Sequence, residues 1–222
     1  DRIDGMLASV QPDVAVLCTP SGVHAQQAIA AAAAGVHVVT EKPMATRWSD
    51  ALDMVKGCDL AGTRLFVVKQ NRRNSTLQLL KRACERRRFG RIYMVAVNVF
   101  WNRPQSYYDS AAWRGTWEFD GGAFMNQSIH TIDLMQWLAG ATMKNLPPEA
   151  NPVEEVFAYT AQRGHDPSTI EVEDTAVATV RFRNGALGSI LGTTSFYPGS
   201  RRQLRIGVRD GSAELVDEQL VQ

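Results

Sequence analysis

Residues 14–68 constrain the fold most. Three apolar runs, "VAVLC", "VHVVT" and "LFVVKQ", are separated by stretches with helical periodicity and helical punctuation. "PSGVHAQQAIAAAAAG" opens with Pro20 and Ser21 and stops at Gly35, and "TRWSDALDMVKGCDLAG" carries Gly62 as its stop. Short runs that are apolar throughout must be covered on both faces, and strand-helix-strand order makes neighbouring strands parallel. In such a sheet, ligands sit outside the carboxyl ends of the strands. Three strand ends carry polar or stiff residues: Thr19-Pro20, Glu41-Lys42-Pro43 and Lys69-Gln70-Asn71. The topology predicts that these three tips line one rim.

After residue 74 the pattern changes. "STLQLLKRACERRRFG" reads as a helix opened by Asn74 or Ser75 and closed by Gly90, and "RIYMVAVNVFW" as a long alternating strand. A polar, aromatic-rich loop follows over residues 102–118, then a helix in "GGAFMNQSIHTIDLMQWLAG" and a Pro-rich loop over 141–152. The remainder reads as strand after strand, with Asn184-Gly185 as a hairpin signal. The expected class is α/β: an incomplete parallel sheet over residues 1–73, then an α+β unit over 74–222 with a mostly antiparallel open sheet. The chain starts at Asp1, and "DRIDGMLASVQPDVAVLC" reads as a helix tail running into a strand. A preceding segment is therefore expected, with a strand and a G-x-G-x-x-G turn. Without it, the 222 residues should bind a dinucleotide weakly or not at all.

A formal net charge of +1 favours neither nucleic acid nor a membrane surface as partner. Cys18, Cys58 and Cys84 are scattered, with no metal-type spacing and no disulfide framework, which fits a reducing cytoplasm. The most apolar stretch, residues 28–39, is broken by Gly35 and His37 and is too short to cross a bilayer. No signal peptide is visible. The basic cluster "KRACERRR" complements the dipole at a helix C-terminus.

Lys42 is the first candidate for chemistry. A solvated loop lysine is the plain alternative, but a lysine at a strand tip, stiffened by Pro43, is a cation facing the ligand crevice. It could stabilise a developing alkoxide or take part in proton transfer. Glu41 could be its partner or bind a ribose hydroxyl. His130 is the second. A lone histidine in an apolar helix is more often a core residue, yet Asn126, His130 and Asp133 fall on one face of the expected helix, apart from Met125, Ile129 and Ile132. Asp133 could then orient the ring and set its tautomer. The aromatic loop is the third: Trp101, Tyr107, Tyr108, Trp113 and Trp117 interleave with Arg103 and Arg114, which suits a sugar or nucleotide.

These residues carry a resemblance. "CTPSGVHAQQAIAAAAAGVHVVTEKPMA" is similar to the T-P-x-x-x-H, A-G-x-H-V and E-K-P motifs of the Gfo/Idh/MocA oxidoreductases, and "GGAFMNQSIHTIDLMQWLAG" to their second-domain helix. The likeness covers essentially the whole chain. It implies a Rossmann-like cofactor domain whose C-terminal part is residues 1–73, and a substrate-binding and oligomerisation domain over 74–222. It implies NAD or NADP as cofactor, a cis Lys-Pro bond, and Lys42 and His130 at the hydride-transfer site. Thr19, Pro20, His24 and Glu41 would contact the cofactor, with Trp113 and Arg114 also assigned to it. "VVKQNRRN", "GRIYMVAVNVFWNRPQSYY" and "WRGTWEFDGGAFMNQSIH" resemble more narrowly the bacterial dehydrogenases that oxidise C3 of UDP-N-acetyl-2-amino-2-deoxyglucuronate in surface-polysaccharide synthesis. The partner would then be a nucleotide sugar, held by Asn71, Arg72, Arg73, Arg103, Tyr108 and Asn126, with an arginine reading the uronate. Many members of the family carry aspartate where Asn126 stands. Homodimers or homotetramers packed through the open sheet face are implied as well. An inositol or simple-sugar dehydrogenase is the alternative inside the family. A truncated, non-catalytic assembly module is the alternative outside it.

Overall fold

A computed structural model describes residues 3–143, 151–217 and 219–221 of the chain. Helix α1 (Ile3–Val10) leads into β1 (Val14–Leu17), α2 (His24–Ala33), β2 (His37–Thr40), α3 (Trp48–Leu60) and β3 (Leu65–Val67). The three strands form a parallel sheet in the order β1-β2-β3. Gly35 and Gly62 end α2 and α3 at φ 78° and 65°, a left-handed turn that residues with a Cβ adopt at a cost. Ala28, Ala31 and Ala32 of α2 pack on Val38, with Met54 and Cys58 of α3 in the same cluster. Small side chains let the helices lie close to the sheet. On β1, Val14 and Val16 point outward and are 47% and 64% exposed.

The second unit begins with α4 (Ser75–Glu85), capped by the Asn74 side chain, which accepts from Thr76 N at 3.0 Å. The helix stops before the expected Gly90, because Arg87 turns left-handed at φ 50°. Strand β4 (Ile92–Phe100) follows, and the expected loop contains a short helix α5 (Gln105–Asp109). Residues 123–128 make a wide π-type turn before α6 (Ile129–Ala139). The expected loop at 141–152 lies mostly outside the described residues.

Strands β5 (Val153–Ala161), β6 (Thr175–Phe182), β7 (Leu187–Thr193), β8 (Gln203–Val208), β9 (Gly211–Val216) and β10 (Gln219–Leu220) join β4 in one sheet, ordered β10-β9-β8-β4-β7-β6-β5. All neighbours are antiparallel except β4 and β7. The Asn184-Gly185 hairpin closes through a four-residue loop between Phe182 and Leu187, with Gly185 at φ 82°. Helix α6 covers one face, where Leu134, Met135 and Leu138 pack on Val95, Val97, Ala178 and Ile190. The other face is open: Phe157, Tyr159, Val177, Leu187 and Met94 share it by register and are exposed. Among the described residues, no helix is long and apolar enough to cross a membrane, and no cluster of three or more His, Cys, Asp or Glu residues could hold a metal.

Candidate active site

The carboxyl ends of β2 and β3 meet the wall formed by the π-type turn and α6, through Lys42 and Asn126 and through Arg72 and Asp133. Glu41 N donates to Leu17 O and Val68 N to Thr40 O, so the three tips leave the sheet in step. The Lys42-Pro43 peptide is cis. Beyond it, Lys42 Nζ donates to Asn126 Oδ1 at 2.8 Å and to Asn126 O at 3.1 Å. Wide turns of this kind loosen the regular backbone ladder, and here the Asn126 carbonyl accepts from a side chain of the other sheet. The Asn126 amide in turn donates to Asp120 Oδ1, and Asp120 Oδ2 accepts from Gly115 N at 2.8 Å. Lys42, Asn126 and Asp120 thus form one hydrogen-bonded chain leading inward, and Asp120 is 1% exposed.

Burial is the main cause of the charge states here. It lowers the pKa of Lys42, against the opposing pull of Glu41 and Asp120, while Lys69 and Arg103 lower it further. It raises that of Asp120, with the Gly115 N–H, Arg114, Lys42 and Asn126 acting the other way. His130 is driven down to about 4, first by burial and then by Lys42, Lys69 and Arg202. The ring is therefore neutral near pH 7, and Gln70 Nε2 approaches its Nε2 at 3.4 Å.

Asp133 does not orient His130 as its spacing implied. Arg72 grips it through Nε and Nη2 at 2.7 and 2.6 Å, and Lys69 Nζ stands 3.6 Å away. Arg72 is thus committed to a protein carboxylate rather than free to read a substrate's. Asn71 sits beside it with a buried Nδ2 that has no partner among the described residues, and Arg73 is exposed on the same turn. Met125 is 39% exposed, so the apolar stripe expected with Ile129 and Ile132 is broken by the wide turn.

In the aromatic loop, Arg103 donates from Nε and Nη2 to Gln127 Oε1 at 3.0 and 2.9 Å and stacks over Trp101 and Tyr107. Arg114 lies between Tyr107 and Trp113, donates to the Tyr107 hydroxyl at 2.6 Å, and keeps a buried Nε without a partner among the described residues. Tyr107, not Tyr108, belongs to this group. Tyr108 is 6% exposed and donates to Thr194 Oγ1, and burial pushes its hydroxyl up to about 12. Its expected substrate contact is therefore replaced by a core role.

On the cofactor side, Thr19 is exposed and donates to Gln27 Oε1, Pro20 starts the turn into α2, and Glu41 Oε2 accepts from Lys42 N at 3.1 Å. His24 differs from expectation. It is 1% exposed, with ring nitrogens 3.0 Å from Pro43 O and 2.8 Å from Thr19 O. It ties the tips beyond β1 and β2 together through their carbonyls.

Gln127 and Asp120 were not singled out from the sequence, nor was the acidic run "EVED" at 171–174. Glu171 accepts from Trp117 N, Glu173 from Phe124 N at 3.0 Å, and Asp174 from the backbone of residues 163–165. Gly122 makes room for this support: a Cβ there would lie 1.9 Å from Glu173 Oε2. A short acidic run between two strands was the available signal.

The arrangement offers a half-buried amine beside a neutral imidazole at the carboxyl ends of a parallel sheet, which is suited to proton transfer next to a nucleotide. The exposed Thr19 hydroxyl and half-buried Glu41 at this rim, with an Arg114 Nε in the aromatic loop that has no partner among the described residues, fit a dinucleotide. Comparison with known proteins agrees with that reading. The WlbA dehydrogenase from Bordetella pertussis, solved with NADH and UDP-GlcNAcA, superposes with a TM-score of 0.90 at 53% identity, covering 100% of this chain and 66% of that one. WlbA from Chromobacterium violaceum, solved with the same two ligands, gives a TM-score of 0.87 at 55% identity over 96% of this chain and 58% of that one. Levoglucosan dehydrogenase from Pseudarthrobacter phenanthrenivorans is 29% identical over 84% of this chain, which spans about half, 51%, of that protein's length. Residues 1–69 match the NAD-binding Rossmann fold of an oxidoreductase family and residues 77–214 match the GFO/IDH/MocA C-terminal domain. With both halves matched in order, the chain belongs to the GFO/IDH/MocA oxidoreductase family.

Proposed function

We propose that the protein oxidises the C3 hydroxyl of a UDP-GlcNAcA-like sugar, with Lys42 as the proton acceptor. One observation carries the reading: β2 delivers Lys42 across to Asn126 on the helical wall that also bears His130. Support for the substrate class comes from the two WlbA enzymes, which bind UDP-GlcNAcA and NADH and are 53% and 55% identical to this chain. When bound, NAD supplies the hydride acceptor. Lys42 does the proton work. Two of its N–H groups are taken by the two oxygens of Asn126, so the remaining tetrahedral position of Nζ is free to face a hydroxyl. Burial lowers its pKa and brings the free amine closer to neutrality. His130, kept neutral because burial pushes its pKa down to about 4, is a hydrogen-bonding partner for the same substrate oxygen. Of the candidate arginines, Arg103 is the one assigned to the uronate, since its partner Gln127 is a neutral amide that a carboxylate can displace, whereas Arg72 is paired with the Asp133 carboxylate. The surface-polysaccharide role and assembly through the open face of β5, β6, β7 and β4 belong to the same proposal.

The test follows NADH formation with UDP-GlcNAcA, with UDP-GlcNAc, which lacks the carboxylate, and with free inositol. Strong preference for the acid, erased by Arg103→Ala, supports the reading. Lys42→Met should cut turnover about a hundred- to ten-thousandfold while sparing NAD binding. Equal use of both nucleotide sugars would overturn the uronate assignment, and use of inositol alone would move the protein to the polyol dehydrogenases.

A further inference from the structure

Asp120 is a buried carboxylate that the proposed chemistry does not use. It lies in the loop between Arg114 and Gly121, is 1% exposed, and meets donors on both oxygens: Gly115 N on Oδ2 and the Asn126 amide nitrogen on Oδ1. An ionised carboxylate only accepts and a lysine Nζ mainly donates, so the Asn126 side chain between them has a single satisfied orientation. Its nitrogen faces Asp120 and its oxygen faces Lys42. If the amide were reversed, a donor would face Nζ and an oxygen would face a carboxylate.

We propose that Asp120 is a positioning residue for Lys42: acting through the side chain of Asn126, it locks the amide oxygen toward Nζ and so aims the remaining position of Nζ at the substrate hydroxyl. This rests on the assignment of Lys42 as the proton acceptor. Asp120 touches neither Lys42 nor the crevice, and its effect passes through one rotatable amide. Its negative charge also acts on Lys42 through space, alongside Glu41 from the same strand tip, Lys69 beyond β3, Arg103 beyond β4 and His130 on α6. Arg114 faces Asp120 from its own loop.

Substitution of Asp120 and Asn126 separately and together tests this. In Asp120→Asn, whichever way the new amide sits, its NH2 meets either Gly115 N–H or the Asn126 NH2, so one bond becomes a clash of donors. Asn126 relieves it by turning its nitrogen toward Lys42. The double variant Asp120→Asn/Asn126→Asp restores every bond with the polarity reversed. The new amide at position 120 accepts from Gly115 N through its oxygen and donates through its nitrogen to the new carboxylate at position 126, which accepts from Lys42. Two readouts apply. One is the pH dependence of turnover, and the other is the pH dependence of Lys42 acetylation, measured by mass spectrometry without any substrate. Asp120→Asn should lower turnover about a hundredfold, the scale of a misplaced reacting group. Losing the carboxylate should move both titrations of Lys42 to lower pH. The double variant should recover turnover to within about tenfold of wild type, as expected of a coupled pair. Placing the carboxylate directly on Nζ should move the titrations above wild type. If Asp120→Asn fails to fold, the double variant's upward shift still decides. Unchanged Lys42 titrations in both variants, or a double variant no better than Asp120→Asn, would overturn the proposal. If wild type does not oxidise nucleotide sugars, the acetylation titrations still decide the role of Asp120, and only the functional reading falls.

Discussion

Replacing Asp133 with Asn removes the charge that holds two cations beside the candidate site. In the folded protein Arg72 grips this carboxylate at 2.7 and 2.6 Å, Lys69 stands at 3.6 Å, and the Asp133 side chain is 11% exposed. Two unit charges about 4 Å apart attract by about 4 kcal/mol at an effective dielectric of about 20. Arg72 is 38% exposed, so solvent screens part of this, and desolvation of both ions offsets more. Asparagine also keeps one acceptor for the guanidinium. The net loss should be about 2 kcal/mol, which for a domain of this size lowers Tm by about 4–8 °C. Thermal unfolding followed by far-UV circular dichroism, at low salt and at high salt, reads it. The low exposure of Asp133 predicts that most of the loss persists at high salt, where a surface pair would be silent. A Tm change below about 1 °C would show that the pair contributes nothing net and that Arg72 is available to a ligand after all.

Three further outcomes follow from the geometry. The His130 ring, followed by its proton chemical shift, should titrate near 4; because the unfolded chain takes up that proton at a higher pH, the group destabilises the fold as pH falls from the unfolded value toward about 4, and a midpoint at 6.5 would refute its burial. Gly122→Ala should cost about 2 kcal/mol and reduce turnover, because the new Cβ displaces the Glu173 carboxylate from Phe124 N; an unchanged melting temperature would refute the support assigned to Glu173. Tyr159→Glu, on the open sheet face where Tyr159 is 72% exposed, should shift sedimentation toward monomer with little change in melting, while an unchanged oligomer would exclude this face from the contact.

The sequence by itself determined the periodic and local features. Alternating apolar runs and helices could only make a parallel sheet, Gly35 and Gly62 marked its helix ends, and "TEKP" placed a lysine at the tip of β2. Strand alternation after residue 153 likewise announced the larger sheet. These features depend on neighbours within a few residues, where backbone sterics and burial period act directly. What only the tertiary structure decided is which polar groups meet. Asp133 had the right spacing for His130, yet two cations from the turn after β3 outcompete it. Tyr107 and Tyr108 are adjacent in sequence, but one faces the arginine cluster and the other the core. His24 has the motif position of a ligand contact and instead braces two carbonyls. Asn126 shares a face with His130 in a regular helix, but the wide turn at 123–128 hands its carbonyl to Lys42, 84 residues away. Partners at such separations are chosen by where two sheets and one helix dock, and a buried polar group takes whichever donor or acceptor that docking brings within about 3 Å.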